Sequence, residues 1–455
     1  MTDAQHSARA KKPVRLVDPT EFTPFYAWKP AARGAESLFC EGVSLEKIAE
    51  SAGTPAYVYS RASIEASYHA LDGALRGLPH RLCYAMKANS NLSVLRLLAK
   101  LGSSFDIVSG GELDRLRRIG VPGNRIVFSG VGKTREEMRE ALRYPGKGRS
   151  SRGILLFNVE SEGELDALLE ESARHVNAGG ERPSLAIRVN PNVMAGGHPH
   201  ISTGQNHHKF GMDWEPARRL YLAHKSSRWI AWRGISAHIG SQIFSLTPYR
   251  QSVTRLASYV RDLARNGVQL EFLDAGGGIG VRYTGESPLV PKQYARTLID
   301  IVRPLGCRLL IEPGRALVGP AGVLLSRVLY VKENVGKTFV IVDAAMNDLI
   351  RPVLYDAEHS ITPAVRNGTH AKTAAKPVDV VGPVCESGDF LARDRALAPV
   401  RPRDLIVVWT AGAYSFAQSS NYNARRRPVE VLVEGRKFRV ARKRQSFDDL
   451  VRGES

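Results

Sequence analysis

From residue 55 onward, short apolar runs alternate with stretches whose apolar positions recur every three to four residues. The first pattern predicts strands and the second amphipathic helices. Eight strand candidates stand out: Arg81–Ala88, Ser104–Ser109, Arg125–Gly130, Gly153–Val159, Ser184–Asn190, Trp232–Gly240, Leu270–Ala275 and Arg308–Glu312. Helical patterns lie between them at Asn91–Leu101, Glu112–Ile119, Arg135–Tyr144, Glu162–His175, Pro216–His224, Pro248–Asn266 and Pro291–Leu305. Strand–helix alternation predicts a parallel sheet. Over a span of about 250 residues a TIM-like (β/α)8 barrel is the favoured closure, with an open doubly wound sheet as the alternative.

After Glu312 the texture changes. Val323–Lys332, Thr338–Asp343, Pro377–Gly382 and Asp404–Thr410 read as strands, and Val429–Val440 as a hairpin around Glu434 and Gly435. Long helical patterns are few, so an antiparallel β domain of the sandwich or barrel kind is expected. The predicted division is α/β overall: a basic tail at 1–33, a segment at 34–58 joining the β domain, the barrel at 59–310 and the β domain at 311–455.

Composition adds boundaries. The chain has 455 residues, 43% of them apolar, which excludes a largely disordered or fibrous protein. Cys40, Cys83, Cys307 and Cys385 form no CxxC pair, so neither a zinc ribbon nor a disulfide scaffold fits. No run is long and apolar enough for a membrane span, and the N-terminus has no apolar signal core. A cytoplasmic protein with no membrane partner is expected. The 64 Lys and Arg against 45 Asp and Glu, a net +19, first suggest nucleic acid. Most of that excess sits in 1–35, 133–152 and 425–444, away from every candidate for chemistry. No nucleic-acid reading motif accompanies it, so no specific nucleic-acid partner is expected.

In a barrel, chemistry sits at the C-terminal ends of the strands. Lys87 ends an apolar strand. A lysine desolvated there has a lowered pKa and can form a Schiff base; the alternative is a lysine at the strand mouth reaching solvent. The seventh strand runs into Gly276, Gly277 and Gly278, whose successive amides can cradle a phosphate. The spacing is not that of a dinucleotide fingerprint. A Schiff-base lysine with a phosphate cradle points to pyridoxal 5′-phosphate. Glu312, ending the eighth strand, is the candidate partner of its pyridine nitrogen. His238 could cover the ring face, or be a satisfied core histidine, and Ser241 could donate to the phosphate.

These motifs carry a resemblance. YAMKAN, DIVSGGEL, HIGSQ, DAGGGIG and EPGR, followed by MNDLIRPVLY, CESGD and GAY, resemble the diaminopimelate decarboxylases among fold-type III pyridoxal-phosphate decarboxylases. The likeness runs from about Gly34 to about Val433, in order. It implies a barrel carrying Lys87 and a homodimer with active sites at the interface, where Cys385 and Glu386 come from the neighbouring subunit. It implies cofactor contacts from Asp106, Gly314, Arg315 and Tyr414, and a network of Asp106, Ser109, Glu112 and Arg188 near the lysine. Cys385 or Lys87 would return a proton to the substrate carbon.

The implied substrate, meso-2,6-diaminopimelate, presents a carboxylate and an ammonium at its distal end. Arg315 and Arg351 can supply bidentate donors for the carboxylate, Glu386 can accept from the ammonium, and Tyr355 and Tyr414 add hydroxyls. The product would be L-lysine. Decarboxylases of ornithine typically carry Asp after the equivalent cysteine, where this chain has Glu386. A same-fold decarboxylase of another basic amino acid or carboxylated polyamine precursor, or a non-catalytic homologue, is the competing reading. The loop 202–211 could close over the site. His198, His200, His207 and His208 cluster there; a solvated loop is favoured over a metal site, since the chemistry needs no metal.

Overall fold

A computed structural model describes residues 18–145, 153–194, 209–367 and 375–455. Eight parallel strands close on themselves in chain order. They are His80–Ala85, Ser104–Ile107, Ile126–Phe128, Leu156–Val159, Ser184–Arg188, Ala231–Ser236, Phe272–Asp274 and Arg308–Ile311. The seam is the eighth strand on the first, with Leu309 opposite His80 and Ile311 opposite Leu82. The open sheet is thereby set aside. All eight expected strands form, but each is shorter than the apolar run that predicted it. The first stops at Ala85, and Met86–Ala88 is a 3-10 turn, so Lys87 sits beyond the strand.

The pleat explains how the barrel makes a site. Side chains two residues apart point the same way. Leu156, Ala186, Phe272 and Leu310 pack with Cys83 and Val127 in one apolar interior cluster. Two residues on, the same faces carry Asn158, Arg188, Asp274 and Glu312, all buried. A dry plug therefore supports a polar layer at the C-terminal end. Helices start directly above it, capped by side chains at the strand ends. Asn91 accepts from the Ser93 amide (2.9 Å) and Ser161 from the Glu164 amide (3.2 Å).

The β domain is mixed, not antiparallel throughout. Gly322–Asn334 pairs antiparallel with Ala56–Ser60, Lys337–Val342 and Leu405–Val408. Ala56–Ser60 runs parallel to Val429–Glu434, and Lys337–Val342 parallel to Lys376–Val381. Strands from the two ends of the chain meet in one sheet, and a strand arriving from before the barrel is not bound to hairpin order. The expected hairpin is present, as Val429–Glu434 on Lys437–Arg442. A smaller sheet holds Tyr26–Pro30, Ala35–Cys40, Val43–Ser44 and Val365–Asn367. Tyr26–Pro30 falls in the stretch read as tail. It is a strand because Tyr26 is buried edge-on against Trp409, with ring centroids 5.4 Å apart. Phe390–Leu397, paired with Lys376–Val381, escaped prediction because charged residues interrupt its apolar pattern.

The domains are joined at the lysine turn. The Tyr414 amide donates to the Ala88 carbonyl (2.8 Å), and Asn89 Nδ2 to the Gly412 carbonyl (3.1 Å). Buried Glu430 accepts from Tyr59 Oη (2.8 Å), Asn91 Nδ2 (2.9 Å) and Arg442 Nε. At Gly412 any Cβ would stand 1.8 Å from the Val318 carbonyl. Gly412→Ala is expected to cost about 1–3 kcal/mol by overpacking. The check is a lower thermal unfolding midpoint, with cofactor retention impaired because the lysine turn shifts.

Among the described residues no helix is long and apolar enough to cross a membrane.

Candidate active site

Lys87 Nζ projects from its turn to 3.8 Å from Asp106 Oδ2. The lysine side chain is 37% exposed, whereas that of Asp106 is wholly buried. Burial works to lower the lysine pKa, but Asp106, Tyr414 and Glu312 outweigh it and hold the pKa above the ordinary value. The expected lowering is therefore not found: the strand end supplies countercharge as well as desolvation. In this state Lys87 is an ammonium anchored over acids. Among the described residues neither Asp106 oxygen has a hydrogen-bond partner.

Glu312 follows the eighth strand in the polar layer. Burial, with Asp106 and Asp274 nearby, pushes its pKa well above the carboxylate range. Asp274 is raised to about 6, again chiefly by burial, although the Gly276 amide donates to its Oδ1 (3.0 Å). Three acids thus face one small space, and they cannot all ionise there cheaply.

His238 rises from the loop after the sixth strand. Its Nδ1 accepts from the Gly277 amide (3.1 Å), so the proton of the neutral ring belongs on Nε2. Burial first, then Lys87 and Arg188, hold its pKa well below the usual histidine value. The 3.6 Å approach of Nδ1 to Glu312 Oε2 is consequently no ion pair.

The glycine run is tight because backbone crowds it. A Cβ would stand 2.4 Å from the Ala237 carbonyl at Gly276, 2.1 Å from the Glu312 carbonyl at Gly277 and 2.3 Å from the Gly240 carbonyl at Gly278. The cradle is narrower than the sequence suggests. The Gly276 and Gly277 amides are committed to Asp274 and His238. Among the described residues the Gly278 amide meets no acceptor. Beside it Ser241 Oγ takes a hydrogen bond from Arg315 Nη2 (3.1 Å).

Arg315 and Arg351 are 7% and 5% exposed, and among the described residues neither pairs with a carboxylate. Arg315 Nη1 donates to Tyr283 Oη (2.6 Å), and its buried Nε has no partner among the described residues. Its guanidinium carbon lies 4.7 Å from the centre of the Tyr414 ring. Gly314 presses this loop against the lysine turn, where its Cβ would be 3.1 Å from Ala88. Tyr414 holds a left-handed backbone, φ 54°, uncommon for a tyrosine. Tyr355, one helical turn beyond Arg351, accepts from Gln418 Nε2 (3.0 Å).

The predicted network divides. Arg188 Nη1 donates to both Glu160 oxygens (3.0 and 3.2 Å) in a buried pair. Glu112 accepts from the Val108 amide (2.7 Å) and senses Lys87 and Asp106. Ser109 instead caps its helix, accepting from the Glu112 amide (3.3 Å). Burial raises Glu112 to about 7. The folded carboxyl then keeps its proton longer than an unfolded one near 4.3. Its stabilisation is complete below that value and is lost as pH rises toward 7. Unfolding midpoints of cofactor-free protein between pH 5 and 8 should therefore fall less steeply for Glu112→Gln than for the unmodified chain.

Cys385 and Glu386 are exposed on the β domain. The Cys385 amide donates to Asn423 Oδ1 (2.9 Å), the Glu386 amide to the Val384 carbonyl (2.8 Å), and Tyr422 is the acid's side-chain neighbour. Cys40, Cys83 and Cys307 are buried thiols. His198, His200, His207 and His208 lie outside the described residues.

Residues 61–319 match the family model described as pyridoxal-dependent decarboxylase, pyridoxal binding domain. The diaminopimelate decarboxylase of Pseudomonas fluorescens is 48% identical over 423 residues, 93% of this chain and 98% of the relative. The crystal structure of diaminopimelate decarboxylase from Helicobacter pylori complexed with L-lysine has a TM-score of 0.83 and 39% identity. It covers 90% of this chain and 98% of that one. The chain belongs to the diaminopimelate decarboxylases. It is an enzyme, a carbon–carbon lyase, with the barrel and β domain of that family.

Sequence reasoning missed three members of the site: Tyr283, His359 and Glu160. Glu160 directly follows the fourth strand, where the strand-end rule could have found it, whereas Tyr283 and His359, which touch Arg315 and Arg351, stand in no quoted motif and meet them only through tertiary packing.

Proposed function

We propose that this enzyme removes one carboxylate of meso-2,6-diaminopimelate, giving L-lysine and carbon dioxide, the last step of lysine biosynthesis. The observation that carries this reading is the pair of buried guanidiniums, Arg315 and Arg351, which pair with no acid among the described residues. Buried cations without countercharge call for anionic ligands. A cofactor phosphate and a distal substrate carboxylate are two such anions. Ornithine has no distal carboxylate to offer.

Pyridoxal 5′-phosphate fits the residues present. Lys87, Asp106, whose oxygens take no hydrogen bond among the described residues, the crowded Gly276–Gly278 turn, Ser241, Gly314, Arg315 and Tyr414 would hold it, and Glu312 would face its ring nitrogen. The bound cofactor supplies the electron sink for the charge left by departing carbon dioxide. The remaining work falls to the chain. Glu312, whose carboxyl burial holds well above the carboxylate range, would stand opposite the ring nitrogen as its acidic partner. Neutral His238 offers a flat face without adding charge. Asp106 holds the Lys87 ammonium until the amine is needed. Arg351 and Tyr355 orient the distal carboxylate, with Arg315 and Tyr414 beside them.

Cys385 and Glu386 are exposed on one chain, which suits sites shared across a homodimer. The partner subunit's loop would bring Glu386 to the distal ammonium and the Cys385 thiol to the carbon that needs a proton. A cytoplasmic location accords with this metabolic role.

The test is genetic. A bacterium lacking its own diaminopimelate decarboxylase should grow without added lysine when it expresses this chain. Continued dependence on lysine, with the protein present and folded, would refute the assignment.

A further inference from the structure

Arg351 is held in place by a histidine that no motif announced. Its Nη1 lies 2.6 Å from His359 Nε2. His359 is wholly buried, and its Nδ1 lies 2.7 Å from the Trp409 carbonyl oxygen. A carbonyl only accepts, so Nδ1 carries the proton; a guanidinium only donates, so Nε2 is bare. The tautomer is thereby fixed and the ring is neutral. Burial, then the positive charge of Arg351, hold the histidine pKa well below its usual value, in the same direction.

The anchor is itself rigid. Trp409 is fully buried and its indole donates to Thr362 Oγ1 (2.9 Å). Tyr283 completes the mount. Its ring lies 4.4 Å from the Arg351 guanidinium carbon and edge-on to His359, with centroids 4.9 Å apart. The Tyr283 hydroxyl takes the Arg315 hydrogen bond, so one aromatic ring separates the two cations.

The choice of acceptor matters. An Asp or Glu at 359 would pair with Arg351, cancel its charge and compete with an incoming carboxylate. A neutral imidazole holds one end of the guanidinium and leaves the charge and the other donors for a ligand.

We propose that His359 is a positioning residue for specificity, which acts through Arg351 to present its remaining donors to the distal carboxylate of the substrate. The inference rests on the reading of Arg351 given under the proposed function.

L-Lysine and cadaverine separate the two ideas, since they differ by that carboxylate. Both are titrated against the cofactor-loaded enzyme. His359→Ala should weaken L-lysine about tenfold or more, the scale of a lost hydrogen bond to a charged group. Cadaverine should change by less than about twofold. His359→Gln, which keeps an acceptor, should recover part of the loss. On an Arg351→Ala background, His359→Ala should add nothing further for L-lysine. Equal losses for both ligands, or unchanged L-lysine affinity, would overturn the positioning role. If the unsubstituted enzyme itself fails to prefer L-lysine over cadaverine, the distal-carboxylate reading falls instead. Nitrogen-15 spectra of the unsubstituted protein need no variant. A protonated Nδ1 and bare Nε2 of His359 from pH 5 to 8 are expected; an imidazolium or the opposite tautomer would overturn the anchor.

Discussion

Lys87→Ala is expected to lower decarboxylation by about four orders of magnitude or more, the scale of removing a covalent catalyst. The variant should also lose the visible absorbance of the protein-bound cofactor. The turn that carries Lys87 is secured from both sides, by the first strand and by the Tyr414 and Gly412 loop. Removing the side chain beyond Cβ should leave that turn folded, so an unchanged unfolding midpoint is the control. The same variant tests the shared site. Mixed with inactive Glu386→Ala, it should regain activity as subunits exchange. Each mixed dimer then holds one site with both native residues, giving about a quarter of full activity at random assortment. No recovery after demonstrated exchange would place Glu386 in the same site as the Lys87 of its own chain.

Glu312→Gln is expected to lower kcat by about a hundredfold to a thousandfold, with a much smaller change in KM, the range for losing one preorganised electrostatic partner. The amide keeps the shape but cannot carry the negative charge that a pyridinium needs opposite it. Arg315, Ser241 and the glycine turn, which would hold the phosphate, are untouched, so the cofactor should stay bound. Steady-state kinetics of the cofactor-saturated variant check the split. An unchanged kcat would remove Glu312 from the mechanism.

The barrel was legible because its strands are buried on both faces and read as apolar runs between amphipathic helices. The polar layer was legible too, since Asp106, Arg188, Asp274 and Glu312 each stand at the end of such a run. The mixed sheet was not. Parallel pairing of Ala56–Ser60 with Val429–Glu434 joins positions more than 370 residues apart, and no local pattern encodes that partnership. His359 was invisible for the same reason: its partners, Arg351 and the Trp409 carbonyl, meet it only through tertiary packing. The lysine pKa was misjudged because sequence shows burial but not Asp106, Glu312 and Tyr414 assembled around one amine. The basic surplus misled at first for the opposite reason. Composition is plain in the sequence, yet the surplus lies in segments that contain no residue proposed for the chemistry.

The most direct test of the whole account is to give the purified, cofactor-saturated enzyme meso-diaminopimelate and ornithine in separate reactions and identify the products. Carbon dioxide and L-lysine in equal amounts are expected from diaminopimelate, with ornithine turned over far more slowly. Preferential release of putrescine from ornithine, or no carbon dioxide from diaminopimelate, would contradict it.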